Sequence, residues 1–330
     1  IGRAVESMKR HTTDEGGQLF DGLGQNGYKL VGHALPFSMT NVPSIVASFL
    51  LEVLVMQDKR EWDGKTAGGN HDSRERFSSV EVLRECDGVF KLTVLKDAHQ
   101  QGEYHKQSAQ EIGCHGWITY YHPDIVHHLA PWTRKRHLVR TWHTVDRNQV
   151  PAFKAAGRDK CLLSGAVSSA YPLRTQIRGW IGREQMSPNP ASRTDSFVEQ
   201  LPHPGYGRSK CFTPEFLQTL SRYKVAICTS SVYGYATRKI VEATACGCRV
   251  VTNLPSDDYM PMIDGNLVRI NDDVDLWDLK AMVLNLIEEW EPDFQEMMAV
   301  RACKWYDYRE QGRILAHEIE SLRRSYNDMP

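Results

Sequence analysis

The sequence predicts an α/β protein made of two doubly wound domains, each a parallel sheet wrapped by crossover helices. Three observations lead there. A chain of 330 residues exceeds one ordinary core and suits two domains of about 150 residues each. Short β-branched or apolar runs alternate with helical stretches, as when parallel strands are joined by crossover helices. An aperiodic segment around 145–158, carrying Pro151, interrupts that alternation and reads as a linker. The expected domains are therefore residues 1–147 and 148–330.

In the first half, strands are expected near 3–8, 28–32, 51–57, 90–95, 116–120 and 137–142. Helices fall near 18–23, after Asn41, over 74–85 and over 124–129; Asn41 caps its helix and Pro43 sits in the first turn. In the second half, a strand begins at Leu162 and a helix covers 171–180. Further on come a strand at 224–228, a helix over 238–246 stopped by Gly247, and a strand at 249–252. Amphipathic helical stretches cover 276–289 and 294–324. The last is expected to return to the first domain, with Trp305, Tyr306 and Tyr308 packing there.

Composition excludes several classes. With 41% hydrophobic and 25% charged residues the chain has ordinary globular usage rather than that of a disordered one. A net charge of -1 gives no global polyanion-binding signature. No run approaches the roughly 20 apolar residues of a membrane span, and the first residues lack a basic-then-apolar leader. The eight cysteines include no Cys-x-x-Cys pair, which fits reduced thiols and a cytoplasmic setting. No His-Glu-x-x-His spacing appears among the histidines, and adjacent His127 and His128 on a helix diverge by about 100°, so no metal is expected. The absence of a Gly-x-Gly-x-x-Gly turn after any predicted strand argues against a nicotinamide enzyme.

The most informative stretch runs from Lys224 to Pro255, KVAICTSSVYGYATRKIVEATACGCRVVTNLP. It reads as strand, glycine-containing loop, helix, tight turn and strand. Ligands of open α/β sheets sit beyond the carboxyl ends of strands, where helices begin. Ser230, Ser231, Tyr233 and Gly234 occupy that loop, and Thr237 provides a hydroxyl at the helix start. Arg238 and Lys239 place cations where the helix dipole is already positive, an arrangement that a bound pyrophosphate explains and simple surface exposure also allows. Glu242, four residues after Arg238, can pair with it along the helix or accept hydrogen bonds from both hydroxyls of a ribose.

The pattern R-K-I-V-E-A-T-A-C-G-C-R-V-V-T-N resembles the donor-binding motif of group 1 and spore-maturation-type (CgeB-like) glycosyltransferases. Weaker similarity covers His203-Pro204-Gly205-Tyr206 and the segment from Leu254 to Asn266. The resemblance implies the GT-B fold, in which two Rossmann-like domains face each other across a cleft. It also implies that Glu242 contacts the nucleotide ribose. Leu162-Leu163-Ser164-Gly165 and the Arg174 that follows are similar to the family's first unit in the second domain, where the glycine admits a phosphate and the basic residue pairs with it. Many group 1 members carry another glutamate eight positions before the ribose-binding one, and here that position is Gly234.

On that resemblance the expected activity is transfer of a hexosyl or pentosyl group from a nucleotide-diphosphate sugar, UDP-linked by preference, to a hydroxyl acceptor, without a metal. Gly165, Arg174, Tyr233, Gly234, Thr237, Arg238, Lys239 and Glu242 are the donor-binding candidates. Candidate catalytic groups on the acceptor side are Asp97 and His99, a carboxylate near an imidazole at a strand's end, and Asp14 in the first polar loop. Helix capping by Asp97 and a solvent-facing His99 is the plainer alternative. His143 is either a group facing the cleft or a hydrogen-bonded hinge. The basic run Arg134-Lys135-Arg136-His137 near Trp132 and Trp142 raises DNA as an acceptor, its base then flipped out for modification. A solvated turn explains the same run. The third possibility is a protein that binds a nucleotide sugar without transferring it.

Overall fold

The computed structural model describes residues 21–26, 53–56, 84, 88–95, 98–100, 106, 109–186, 198–201 and 214–327. The expected elements near 3–8 and 28–32, and the helix after Asn41, lie outside these residues, as do Asp14, Asp97 and the His203–Tyr206 segment. The chain divides into two compact units. Leu23–Trp142 and Gly312–Pro330 belong to one; His143–Gln311 belongs to the other, together with Asp21 and Gly22.

In the first unit, β1 (Val53–Met56), β2 (Phe90–Leu95), β3 (Gly116–Thr119) and β4 (Leu138–Arg140) form a sheet in the order β1-β2-β3-β4. All neighbours are parallel, with Val53 opposite Phe90, Leu92 opposite Gly116 and Trp117 opposite Leu138. Every residue of β2 is buried, as a parallel strand covered on both faces requires. Lys91 is buried with it; its ammonium donates to the Ile112 carbonyl at 3.1 Å. Helix α1 (Pro123–Leu129) opens with proline in its first turn, and the His122 ring accepts the Asp124 amide.

The second unit holds β5 (Cys161–Ser164), β6 (Val198–Leu201), β7 (Val225–Ile227), β8 (Arg249–Thr252) and β9 (Leu267–Arg269), in the order β6-β5-β7-β8-β9, again all parallel. Its helices are α2 (Pro172–Gln185), α3 (Pro214–Leu220), α4 (Arg238–Ala245), α5 (Leu276–Glu288) and α6 (Pro292–Trp305). Leu173, Ile177 and Ile181 of α2 and Leu279 and Val283 of α5 pack on Leu163, Ile227 and Val251 of the sheet. Strand β6 lies to one side of β5 and β7 to the other, so the winding direction reverses between β5 and β7. The carboxyl ends of those two strands flank the crevice where such sheets bind ligands. At the opposite end, buried Arg158 donates to the carbonyls of Lys154, Tyr223 and Cys246. It thereby ties the starts of three strands together and satisfies an orphan carbonyl at the end of α4.

Three elements, β6, α3 and β9, go beyond the sequence-based assignment. The helical stretch over 294–324 is two helices, because the chain breaks between α6 and α7 (Tyr308–Asn327). There the Tyr306 carbonyl accepts the Val145 amide at 2.9 Å, and the Tyr308 amide donates back to Val145 at 3.2 Å. Asp307 caps the new helix through the Arg309 amide and pairs with Arg309, which also reaches Asp146. Tyr306 is fully buried within the second unit, its hydroxyl on the Pro261 carbonyl.

The far end of α7 belongs to the first unit. Its Tyr326 ring packs edge-on against His115 and lies near Phe90 and His137. Leu322 covers Gly116 so closely that an added Cβ would lie 2.9 Å from it and 2.8 Å from the His137 carbonyl. The His115 Nδ1 accepts the Lys91 amide at 2.9 Å, which fixes that nitrogen as unprotonated. Burial, then the charge of Lys91, lowers the His115 pKa; burial and the nearby Arg136 and Arg134 lower that of His137. Both rings are therefore held neutral in the folded state, while the unfolded chain takes up protons near the ordinary value of 6.5. Stability is intact above that value and declines as pH falls through it. Thermal melts followed by circular dichroism should show a lower midpoint at about pH 5.5 than at about pH 7.5. H137F should shrink that drop, and an equal drop in both proteins would place the acid-sensitive group elsewhere.

Candidate functional site

Two cations converge beside Gly165, where β5 ends. From α2, the Arg174 guanidinium donates from Nε to the Thr229 hydroxyl, from Nη2 to the Thr229 carbonyl and from Nη1 to the Ala166 carbonyl, each at 3.0 Å. Its plane lies over the Tyr171 ring, 4.1 Å from the centroid. From the first turn of α4, the Lys239 ammonium donates to the Ser164 carbonyl at 3.1 Å. Among the described residues neither cation meets a carboxylate within ion-pair distance.

Gly165 makes this convergence possible. Its φ of +127° is one that side-chain-bearing residues rarely adopt, and a Cβ there would fall on the Lys239 ammonium and 2.5 Å from Arg174 Nη1. Burial, reinforced by the Arg174 charge, brings Lys239 down to about 8, and burial also lowers Arg174. Two mutually repelling, desolvated cations held only by neutral oxygens form a site that an anion would relieve.

The loop from β7 to α4 supplies the other side. Thr229 and Ser230 are buried directly after the strand. Ser231 accepts the Tyr233 amide on its hydroxyl and the Gly234 amide on its carbonyl, forming a turn in which Gly234 has φ +67°. The Tyr233 and Tyr235 rings lie 5.5 Å apart. Thr237 stands at the N-cap of α4 in an extended conformation, yet its buried hydroxyl makes no hydrogen bond. That first turn thus offers a donor-acceptor group with no protein partner at the positive end of the helix.

Arg238 and Glu242 pair at 3.0 Å, both largely buried. Of the two readings left open by the sequence, the ion pair along α4 is present, in the interior rather than on the surface. Arg238 is accordingly directed along the helix, unlike Lys239. His143 is buried, with its Nε2 3.0 Å from the Ala236 carbonyl. It braces the segment leading into α4.

Of the residues expected from the sequence, Gly165, Arg174 and Lys239 meet at the end of β5, Thr237 stands at the start of α4, and Tyr233 and Gly234 lie in the loop before it. Sequence reasoning missed Thr229, Ser164 and Asn253. All three stood inside quoted segments without an assigned role: Thr229 in the loop after β7, Ser164 at the end of β5 and Asn253 one residue beyond β8. His99 lies in a 3₁₀ turn, Ala98–Gln100, after β2 in the first unit. Of the basic run, Lys135 pairs with Asp124 and His137 is buried. Trp132 packs on Trp117 and Trp142 lies under Arg140, so both tryptophans are engaged within the protein. Among the described residues no cluster of potential metal ligands occurs, and no helix is long and apolar enough to cross a membrane.

No protein-family model matches the sequence, and no curated protein sequence matches it. Solved structures do share its fold. A glycosyltransferase from Rickettsia africae is 9% identical, with a TM-score of 0.54 over 90% of this chain and 84% of that one. Sucrose-phosphate synthase from Thermosynechococcus elongatus is 12% identical, with a TM-score of 0.53 over 88% and 78%. HepE from Anabaena, solved in complex with UDP, is 10% identical, with a TM-score of 0.52 over 89% and 84%. The chain is thus an α/β protein of parallel sheets with the fold of glycosyltransferases.

Because Gly165 leaves no room for a side chain, G165A should destabilise the second unit by about 1–3 kcal/mol through combined backbone strain and overpacking. Urea unfolding measures this. A loss below about 0.5 kcal/mol, the range of neutral surface changes, would mean that the two cations yield freely.

Proposed function

We propose that the protein is a glycosyltransferase of the two-domain GT-B class that takes its sugar from a nucleotide diphosphate, UDP-linked by preference. The observation that carries this reading is the pair Arg174 and Lys239 at the switch point of the second sheet, desolvated and, among the described residues, lacking a carboxylate, beside a glycine whose missing side chain lets both cations close in. A diphosphate supplies the missing negative charge, and the Thr237 hydroxyl and first-turn amides of α4 add hydrogen-bond donors. Support comes from the shared fold, whose representatives include HepE solved with UDP, and from the resemblance of the α4 segment to group 1 and CgeB-like donor sites.

In this reading the acceptor's hydroxyl oxygen bonds to the sugar's anomeric carbon and gives up its proton, the bond from that carbon to the diphosphate oxygen breaks, and negative charge grows on the leaving phosphate. Arg174 and Lys239 stabilise that charge, the role a metal fills in other transferases. Activity is therefore expected to persist after chelation of divalent ions. Glu242 binds the ribose, with Arg238 holding its carboxylate in place. The hydroxyl acceptor is held by the N-terminal domain, with His99 as the described candidate base; Asp97 and Asp14 are the other proposed catalytic groups.

Gly234 favours a second reading, a protein that holds the nucleotide sugar without transferring it. Many group 1 members have a glutamate at this position; here the backbone is left-handed, a conformation glutamate rarely adopts. The departure is built into the loop. Assays of UDP-glucose hydrolysis and transfer separate the two readings, since a binder gives a thermal shift and no turnover.

Titration calorimetry with UDP tests the donor site directly. Removing one charged contact by R174M or K239M should weaken binding by at least about tenfold. Unaltered affinity in both variants would reject the site. Because Lys239 loses its proton near 8, wild-type affinity for UDP should fall as pH rises through that value. K239R should flatten the dependence, since arginine stays protonated throughout.

A further inference from the structure

Asn253 follows β8 directly and joins the loops beyond three adjacent strands. Its Oδ1 accepts the Ser230 amide at 2.6 Å in the loop after β7, and its main-chain carbonyl accepts the Ser230 hydroxyl at 3.4 Å. Its Nδ2 donates to Asp272 Oδ1 at 2.5 Å, beyond β9. The orientation of the carboxamide is thus determined from both sides. A backbone amide can only donate, so oxygen must face Ser230; an ionised carboxylate can only accept, so nitrogen must face Asp272.

Ser230 is the neighbour of Thr229, and Thr229 takes two of the three hydrogen bonds of Arg174. On its other side is Ser231, which shapes the turn toward α4. Neither Asn253 nor Asp272 reaches Arg174 itself in these hydrogen bonds. Their effect runs through the backbone of Ser230 to the oxygens that set the guanidinium plane.

We infer that Asn253, oriented by Asp272, is a positioning residue that presets Arg174 for a diphosphate. The inference rests on the proposed donor site, but the relay from Asp272 to Ser230 exists without a ligand and can be tested separately. Polarity provides the test. N253D keeps an acceptor for Ser230 but sets two carboxylates against each other at hydrogen-bond distance. Adding D272N restores a donor opposite the new carboxylate, and the pair then carries the same net charge as in the wild type. D272N alone leaves an amide oxygen able to accept from Asn253.

The experiment compares wild type, N253D, D272N and the double variant by calorimetry with UDP and by hydrogen exchange at the Ser230 amide without ligand. N253D should weaken UDP binding by about tenfold and speed exchange at Ser230. The double variant should recover both to within about twofold, with D272N close to wild type. Recovery by a second substitution cannot arise from general damage to the fold. A double variant no better than N253D, or an N253D protein with wild-type exchange at Ser230, overturns the relay. Wild-type protein that shows the exchange pattern but does not bind UDP would instead sink the donor-site reading and leave the loop device standing.

Discussion

The second unit is organised around the placing of two positive charges where water cannot solvate them well. Arg174 and Lys239 come from different helices and meet at the end of β5, each satisfied by neutral oxygens of the sheet. Such an arrangement opposes folding in the absence of a ligand, because desolvation and mutual repulsion both disfavour it. It persists because the surrounding elements are independently secured. The α2 face is anchored in the apolar core, and α4 is held at its far end by Arg158 through the Cys246 carbonyl. Destabilisation confined to a strand end and supported by a rigid scaffold is the usual signature of a binding site.

Within α4 the charges divide their tasks. Arg238 and Glu242 neutralise one another in the interior, whereas Lys239 is directed to the end of β5. Two consecutive basic residues thus face different surroundings simply because a helix turns about 100° per residue. The same geometry separates the ion pair from the cation whose charge is left uncompensated.

Much of this was legible in the sequence where one short segment contains the whole signal. Strand β2 (FKLTVL) and strand β8 (RVVT) have the predicted bounds because each is a short run rich in β-branched and apolar residues. The helix from Arg238 is legible because Gly247 stops it. Contacts between distant segments were not legible. Ser164 contributes a main-chain oxygen, and Thr229 both its hydroxyl and its carbonyl, in roles that depend on which strand lies alongside. Strand β6, VEQL, is only partly buried at a sheet edge and lacks alternation. The break between α6 and α7 did leave a trace: Asp307 with Glu310 three residues on is a helix-start signature, but the periodicity on either side concealed it. Lys91 and His115 belong to the same category, since a lysine within a strand reads as exposed until the residues around it are known.

The pairing of Val145 with Tyr306 and Tyr308 also bears on how the polypeptide can be divided. The stretch 143–311 begins and ends in segments hydrogen-bonded to each other, although the second unit also takes in Asp21 and Gly22. The far part of α7 is integral to the first unit. Trimming α7 would strip the first unit of the helix that covers Gly116 and would expose the imidazoles packed beneath Tyr326, although Leu322 and Gly116 lie more than two hundred positions apart in the chain.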